Sequence, residues 1–251
     1  MNQNKLSFKS ENLVVDYITF KFQDLKKSKK KQIAKYFFKV GFNSYQQSGK
    51  LATPIKEPIL ISNTNKFQMC FVKNNSYWTG SLLHFTGSNA FQFYSLLKEQ
   101  IIDCKILSSG TFSRLDIYHS RANKEGDECS SDFLLRCFEE LQKTNKNVDL
   151  NKNFKGYILT INSRKSNNYF RIYQTENSLK FEYEMKGRLI EKFQTLLVEN
   201  QLEEFEQQIS LNFLKNFYTK LPIYSSYLDW LLIKIRKMQK FNNRFSYAVS
   251  A

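Results

Sequence analysis

The chain has 251 residues and carries 38 Lys and Arg against 23 Asp and Glu, which gives a formal net charge of +15. Hydrophobic residues make up 41% and aromatic residues 16% of the sequence, with only eight glycines and three prolines, so disordered, collagen-like and disulfide-scaffold classes are excluded. The length predicts one large domain or two small fused halves, and the absence of a run of roughly 18 apolar residues predicts a soluble protein.

The positive charge favours a polyanionic partner. A net charge of +15 produces a long-range field that draws polyanions, and each Lys or Arg placed at a nucleic-acid phosphate releases condensed counterions. The alternative is compositional, because abundant Lys, Asn, Phe, Ile and Tyr with little Ala and Gly are typical of an AT-rich genome. The four cysteines form no CxxC pair and no cluster with histidine, which predicts a reducing compartment and no zinc site.

The first half of the chain predicts the order strand, helix, hairpin, helix. Strands are indicated by β-branched and aromatic residues in alternation, and helices by apolar residues three or four positions apart. The predicted elements are a strand over Val14–Phe22, a short helix with Ile33, Phe37 and Val40 on one face, a loop over 41–58, two strands between Phe67 and Phe85 flanking a turn at Asn74–Ser76, and a helix over Ala90–Ile102.

The second half repeats this order and predicts an α+β fold. Two similar strand-helix-hairpin-helix halves, about 12–102 and 106–187, would build an antiparallel sheet with helices packed on one face. We expect residues 1–187 to form this domain and 188–251 to form a C-terminal helical segment packed on it. The predicted elements are a strand over Phe112–Tyr118, a helix over Asp132–Leu141, strands over Tyr157–Ile161, Tyr169–Tyr173 and Leu179–Met185, and helix from Arg188 onward, broken at Pro222.

Charged residues interrupt the otherwise apolar strand around Leu115. Arg114 and Asp116 share one strand face, while Leu115 and Ile117 share the other. A charge on such a strand is costly unless it is solvated or paired. The pattern therefore indicates either a metal-binding carboxylate or a structural Arg–Asp pair.

Two adjoining segments carry cations and hydroxyls. Ser163, Arg164, Lys165 and Ser166 form a turn suited to phosphate oxygens, although an exposed basic hairpin tip has the same composition. The strand that follows places Tyr169, Arg171 and Tyr173 on one face. Such a face can stack bases, or can present a tyrosyl nucleophile beside a cation, and it also occurs on ordinary sheets.

Paired carboxylates occur on the last predicted strand. Glu182 and Glu184 share a strand face about 7 Å apart and could hold Mg²⁺ or Mn²⁺ through oxygen ligands. With Lys180 and Lys186 beside them, an ion-pair ladder on the surface is the alternative.

The order of these segments resembles the replication initiation factor family, which comprises rolling-circle initiators of small plasmids and related relaxases of conjugative transposons. The resemblance covers roughly residues 12–200. It is carried by Val15–Phe20, Leu83–Ser88, Phe112–Asp116, Ser163–Ser166, Arg171–Tyr173 and Lys180–Glu184, which follow the family's order at about its spacing.

The resemblance implies a DNA-nicking and rejoining activity at a replication origin. Tyr173, with Tyr169 as substitute, would attack a phosphodiester of single-stranded or cruciform origin DNA, and Arg171 would stabilise the transition state. Asp116, Glu182 and Glu184 would hold Mg²⁺ or Mn²⁺. Residues that would contact DNA are Arg114, Ser163, Arg164, Lys165, Ser166, Lys29, Lys30 and Lys31.

The resemblance leaves a homodimer and a helicase partner open and implies no membrane association. It implies the cytoplasm of a low-GC plasmid host, or a plastid or mitochondrion where the gene is organelle-encoded. The chain departs from the family pattern at Ser120, where a second Asp is common, and at Gln174–Thr175, where Asp-Lys is common. A catalytically diverged DNA- or RNA-binding protein on the same scaffold, or an organellar RNA-binding protein, therefore remains an alternative.

Overall fold

The computed structural model describes residues 13–23, 26–40, 57–61, 70–73, 80–125, 127, 129–144, 147–221, 227 and 229–236. Within these residues it contains nine strands, six α-helices and one 3₁₀ helix, and residues 229–236 are also helical. The strands are β1 Leu13–Gln23, β2 Glu57–Ile61, β3 Cys70–Lys73, β4 Gly80–Thr86, β5 Thr111–Ala122, β6 Val148–Asn153, β7 Gly156–Ile161, β8 Asn168–Gln174 and β9 Ser178–Lys186. The helices are α1 Lys27–Lys39, α2 Ser88–Lys98, α3 Ser130–Thr144, α4 Arg188–Glu191, α5 Gln194–Val198 and α6 Leu202–Lys220, with the 3₁₀ helix at Cys104–Leu107.

The predicted α+β fold is confirmed, and the differences from the prediction are local. The strand β6 was not predicted, because its sequence VDLNKN carries almost no apolar residues. The strand β2 begins inside the segment predicted as loop. The C-terminal helical segment is interrupted after Glu191 and again after Val198, whereas the predicted break at Pro222 and the turn at Asn74–Ser76 lie outside the described residues.

The chain divides into two compact units. The N-terminal unit contains the described residues of 14–118 and 184–202, and the C-terminal unit contains Leu13 and the described residues of 119–183 and 203–236. None of the helices in the described part of the chain is long and apolar enough to cross a bilayer.

In the N-terminal unit the strand order is β2-β3-β4-β1-β5, with the end of β9 next to β5. The pairs β2/β3, β3/β4 and β1/β4 are antiparallel, and Thr19 of β1 lies opposite His84 of β4. Alternation along β1 buries Ile18, Phe20 and Phe22 in the core and leaves Tyr17 and Thr19 on the opposite face. The aromatic core packs Phe20, Phe37, Phe85, Phe93 and Phe112 against one another.

In the C-terminal unit the strand order is β9-β8-β7-β6, and the pairs β6/β7 and β7/β8 are antiparallel. Phe170 of β8 and Phe181 of β9 both contact Phe217 of α6 edge-on, so α6 covers the apolar face of these strands. The opposite strand face carries polar side chains. This face is called the polar sheet face below, and it positions the predicted site residues.

The two halves share a detailed local structure at their strand-to-helix junctions. Gly87 follows β4 with φ 56° and ψ −130°, and Gly187 follows β9 with φ 54° and ψ −141°. In each case the glycine carbonyl accepts the backbone N–H groups of the residues three and four positions on. Such φ and ψ values are accessible essentially to glycine alone, so the junction repeats with an offset of one hundred residues.

Candidate functional site

The predicted aromatic and basic face of β8 is present in the C-terminal unit. Phe170 and Ile172 are completely buried, whereas Tyr169, Arg171 and Tyr173 are half-buried on the polar sheet face. Burial of the two apolar residues fixes the orientation of the strand, because side chains alternate between the two faces of a sheet.

The strand register aligns the polar residues into rows that cross the sheet. Asp149 of β6 lies opposite Thr160 of β7, which lies opposite Arg171 of β8. Arg171 in turn forms an ion pair with Glu182 of β9. This row places one cation between two carboxylate-bearing strands.

Arg171 is held by Glu182 and lies close to both tyrosines of its own strand. Burial by itself lowers the pKa of Arg171, but the charge and hydrogen bond of Glu182 outweigh it, with smaller contributions from Tyr169 and Tyr173, so the pKa is raised. The guanidinium carbon lies 6.0 Å from the centre of the Tyr169 ring, and the ammonium of Lys180 lies 5.9 Å from that of Tyr173. Two cations, Arg171 and Lys180, therefore lie near Tyr173.

The turn predicted to hold phosphate joins β7 to β8. Ser163, Arg164 and Lys165 are exposed and Ser166 is half-buried. Within the turn, Ser163 Oγ accepts the N–H of Lys165 at 3.2 Å, and the Ser163 carbonyl accepts the N–H of Ser166 at 2.8 Å. Ser163 and Arg164 also line a cavity of about 340 Å³ together with Asn147, Asp149, Thr160, Asn162 and Tyr169.

The second group of predicted residues meets in the N-terminal unit. Arg114 donates from Nε to Asp116 Oδ1 at 2.8 Å and from Nη2 to Asp116 Oδ2 at 2.5 Å. The same Nη2 donates to Glu184 Oε2 at 2.8 Å, and Lys186 forms an ion pair with the other oxygen of Glu184. Asp116 is 2% and Glu184 1% exposed, and the half-buried cations Arg114 and Lys186 offset the charges of the two carboxylates.

Sequence reasoning missed a histidine that adjoins this group. His84 Nδ1 lies 3.0 Å from Tyr17 Oη and 3.0 Å from Thr19 Oγ1, and Arg114 lies 4.0 Å from the centre of the Tyr17 ring. Burial, and to a lesser extent the charge of Arg114, lower the pKa of His84 to about 4. The signal available in the sequence was its position three residues before Gly87, which matches that of Glu184 before Gly187.

The donor chemistry of the carboxylate pair fits a divalent cation. Asp116 and Glu184 bring two carboxylate oxygens to a single cationic atom, Nη2 of Arg114, and such oxygens are the ligands that Mg²⁺ and Mn²⁺ prefer. Binding would require Arg114 to give way. Among the described residues, no group of three or more His, Cys, Asp or Glu side chains is arranged as a metal site.

The remaining predicted residues take no part in the contacts of Arg114. Glu182, predicted as a metal ligand, belongs to the C-terminal unit and pairs with Arg171. Lys29, Lys30 and Lys31 lie in the first half of α1, where Lys29 is half-buried and Lys31 is exposed. Gln174 is part of the local fold, because its Oε1 accepts a hydrogen bond from Ser131 Oγ at 2.9 Å.

Comparison with known proteins finds similarity at the level of solved structures. No protein-family model matches the sequence, and no curated protein matches it either. Among solved structures, the chain is similar to one described as a rolling circle replication initiator protein from Geobacillus stearothermophilus. The identity is 12%, the match covers 75% of this chain and 79% of that chain, and the TM-score is 0.49. A likeness at this level concerns the coarse fold only, and no residue of the chain receives a role from it.

Proposed function

We propose that this protein is a DNA-binding replication initiator that nicks and rejoins single-stranded origin DNA through Tyr173. The observation that carries the proposal is the placement of this half-buried phenol on the polar sheet face, with Arg171 on the same strand face and Lys180 5.9 Å from its ring. The order of motifs along the chain and the net charge of +15 support the same function.

The proposed reaction transfers a phosphodiester bond to the phenol. Tyr173 Oη loses its proton to solvent and forms a bond to phosphorus, while the bond from phosphorus to the 3′-oxygen breaks. The products are a 5′-phosphotyrosyl link and a 3′-hydroxyl that has taken up a proton, and rejoining is the reverse. Arg171 and Lys180 favour the phenolate before attack, and Arg171 would oppose the negative charge that develops on the phosphoryl oxygens.

A divalent cation is a separate part of the proposal. Asp116 and Glu184 would hold Mg²⁺ or Mn²⁺, which would act as a Lewis acid on phosphate oxygens when bound. Until then Arg114 bonds to both carboxylates and Lys186 to Glu184, so that two cations offset the two buried negative charges.

The nucleophile can be tested by trapping the covalent product. The protein is incubated with Mn²⁺ and a 3′-labelled pool of random single-stranded DNA, and label attached to protein is measured on a denaturing gel. We expect an adduct with the wild type and with Tyr169→Phe, and none with Tyr173→Phe. Tyr157→Phe, at a half-buried tyrosine of β7, is the matched control.

Two outcomes would contradict the proposal. An adduct that persists in Tyr173→Phe would place the nucleophile elsewhere. No adduct with the wild-type protein, in a preparation that binds the same DNA, would remove the nicking activity and leave the DNA-binding function.

A protein that binds DNA or RNA without cleaving it is the second candidate. It is favoured by Gln174, which stands where the family commonly has an acidic residue and here bonds to Ser131 of α3. It is also favoured by the pairing of all three predicted metal ligands with arginine side chains. Binding that is unchanged in Tyr173→Phe, without any adduct in the wild type, would be the result expected for this function.

A further inference from the structure

The cavity at the end of the β7–β8 hairpin has the size and composition of a small-ligand site. Its volume of about 340 Å³ lies at the lower end of the range for ligand pockets. Two rows of the polar sheet face supply its floor. Asp149 and Thr160 face each other across β6 and β7, and the next row contains Asn147, Asn162 and Tyr169.

The hairpin keeps this floor in a defined shape. Asn162, at φ 71°, donates its backbone N–H to the Asn147 carbonyl at 2.8 Å. Its side-chain Nδ2 donates to the Asn168 carbonyl at 3.1 Å and to Asn168 Oδ1 at 3.2 Å. The bonds to Asn168 connect the two sides of the turn that carries Ser163 and Arg164, and the bond to Asn147 joins the end of β7 to the residue that precedes β6.

The charges that line the cavity select for a particular kind of ligand. Arg164 suits a phosphate, but the carboxylate of Asp149 repels one, so a ligand that fills this space must combine an anion with hydrogen-bond donors. A nucleotide has this combination when its base carries N–H groups. The half-buried ring of Tyr169 adds a surface on which a base can stack.

Among the bases, guanine matches a carboxylate best. Its Watson–Crick edge presents the N1–H and an N2–H side by side, and both can be accepted by the two oxygens of one carboxylate. Cytosine and adenine each offer a single exocyclic amino group there, and thymine offers only its N3–H.

We propose that the cavity lined by Asp149, Thr160, Asn162, Arg164 and Tyr169 binds one unpaired guanine of a DNA strand, with Asp149 accepting from N1 and N2. The inference rests on the proposed DNA-binding function and gives it a base preference. Tyr169 lies four residues before Tyr173 on β8. The guanine would therefore lie about 13 Å from the proposed nucleophile, measured along β8.

The test measures fluorescence anisotropy with single-stranded thymine oligonucleotides of about 13 nucleotides that carry one central variable base. We expect guanine at that position to bind roughly tenfold more tightly than adenine, cytosine or thymine. Inosine, which differs from guanine only by the missing 2-amino group, should lose most of this advantage. The inosine comparison uses the wild-type protein, so it does not depend on the folding of any variant.

A substitution of Asp149 tests whether its carboxylate causes the preference for guanine. Asp149→Asn should bind all five oligonucleotides within about twofold of one another. Glu176→Gln removes one negative charge from an exposed turn of the same unit and should keep the guanine preference.

The outcomes distinguish failure of the guanine site from failure of the proposed DNA-binding function. Equal, salt-dependent affinity of the wild type for every base, or a preference for another base, would overturn the guanine site and leave DNA binding in place. The same holds if Asp149→Asn retains the preference. No binding of any oligonucleotide would overturn the guanine site together with the DNA-binding function.

Discussion

Arg114 bonds to two buried carboxylates that would otherwise repel each other, and with Lys186 it offsets their charges. Its Nη2 lies 2.5 Å from Asp116 Oδ2 and 2.8 Å from Glu184 Oε2. The two acids raise the pKa of Arg114 enough to overcome the lowering caused by burial. A guanidinium fits this task because its planar array of donors can bond two carboxylates at once.

Removal of this guanidinium should be costly for the fold. We expect Arg114→Gln to lower the free energy of unfolding by about 3 kcal/mol, because a buried charge left without its partner is strongly destabilising. Urea unfolding at pH 7 measures the change. Arg114→Lys retains the positive charge and should lose less, and a loss below about 0.5 kcal/mol in Arg114→Gln would contradict the assigned role.

The same variant should reveal whether the carboxylate pair accepts a metal. In Arg114→Gln the carboxylates of Asp116 and Glu184 lack their shared cation. Mg²⁺ or Mn²⁺ should therefore raise its melting temperature, since a ligand that binds only the native state stabilises it. Adding Asp116→Asn to the variant should remove this response, and an equal shift in both proteins would argue against metal binding at the pair.

His119 makes the stability of the C-terminal unit depend on pH. It is 3% exposed, packs against Phe213 and Trp230, and neither ring nitrogen has a hydrogen-bond partner among the described residues. Burial, and secondarily the charge of Lys234, lower its pKa from 6.5 to about 3. Between these values the unfolded chain binds the proton more readily, so stability falls as the pH falls from 6.5 towards 3.

This dependence can be isolated by substitution. Each pH unit below 6.5 should cost the wild type about 1.4 kcal/mol more than His119→Gln, which does not titrate. Urea unfolding of both proteins at pH 7 and pH 5 gives the difference, and His84, whose pKa is also lowered, is present in both. Parallel profiles for the two proteins would show that His119 is protonated without penalty in the fold.

At the scale of elements, the repeated structure extends to the ends of the helices. Gln100 and Asn200 have φ values of 58° and 59°. Gln100 N–H bonds to the Leu97 carbonyl and Ile101 N–H to the Leu96 carbonyl, while Asn200 and Gln201 bond to Leu197 and Leu196 in the same way. The helices α2 and α5 therefore both end in a Schellman motif.

The residue at the left-handed position differs between the repeats, which gives a matched pair of substitutions. Gln100→Gly should raise the free energy of unfolding by about 1 kcal/mol, because it removes the steric cost of positive φ for a side chain. Asn200→Gly should gain less, since asparagine tolerates this conformation. Glu99→Gly, at a neighbouring residue with φ −78°, should destabilise the protein, and a loss of stability in Gln100→Gly would contradict the argument.

The strands that carry the site were predictable because their sequences alternate. In β8, Phe170 and Ile172 indicate the core face and place Tyr169, Arg171 and Tyr173 opposite them. The strand β6 could not be found in this way, since VDLNKN has a single buried residue, Val148. Its position depends on pairing with β7, which is a long-range property that local sequence does not encode.

Contacts between residues that are distant in the chain likewise could not be predicted from the sequence. The charged residues of β5 and β9 were recognised, but their pairing through one guanidinium depends on which strands become neighbours. Asp149 escaped notice because an acidic residue in a polar strand has no distinguishing pattern. It becomes part of a candidate site only when the register places it opposite Thr160.

For the whole molecule, the net charge of +15 predicts an affinity for DNA that depends strongly on salt. Each phosphate contact to a single strand contributes about −0.7 to the slope of log K against log salt concentration. If Arg164 and Lys165 each bind a phosphate, Arg164→Gln/Lys165→Gln should make the slope shallower by about 1.4. The measurement is a titration of a single-stranded oligonucleotide at several concentrations of KCl.

A control with the same loss of charge separates local contacts from the general field. Lys215→Gln/Lys220→Gln changes two lysines of α6, the helix that packs on the apolar strand face opposite Tyr169 and Arg171. This variant should bind more weakly at low salt through the reduced field, yet keep a slope close to that of the wild type. Equal changes in slope for the two double variants would mean that the hairpin has no special role. Binding would then be spread over the basic surface as a whole.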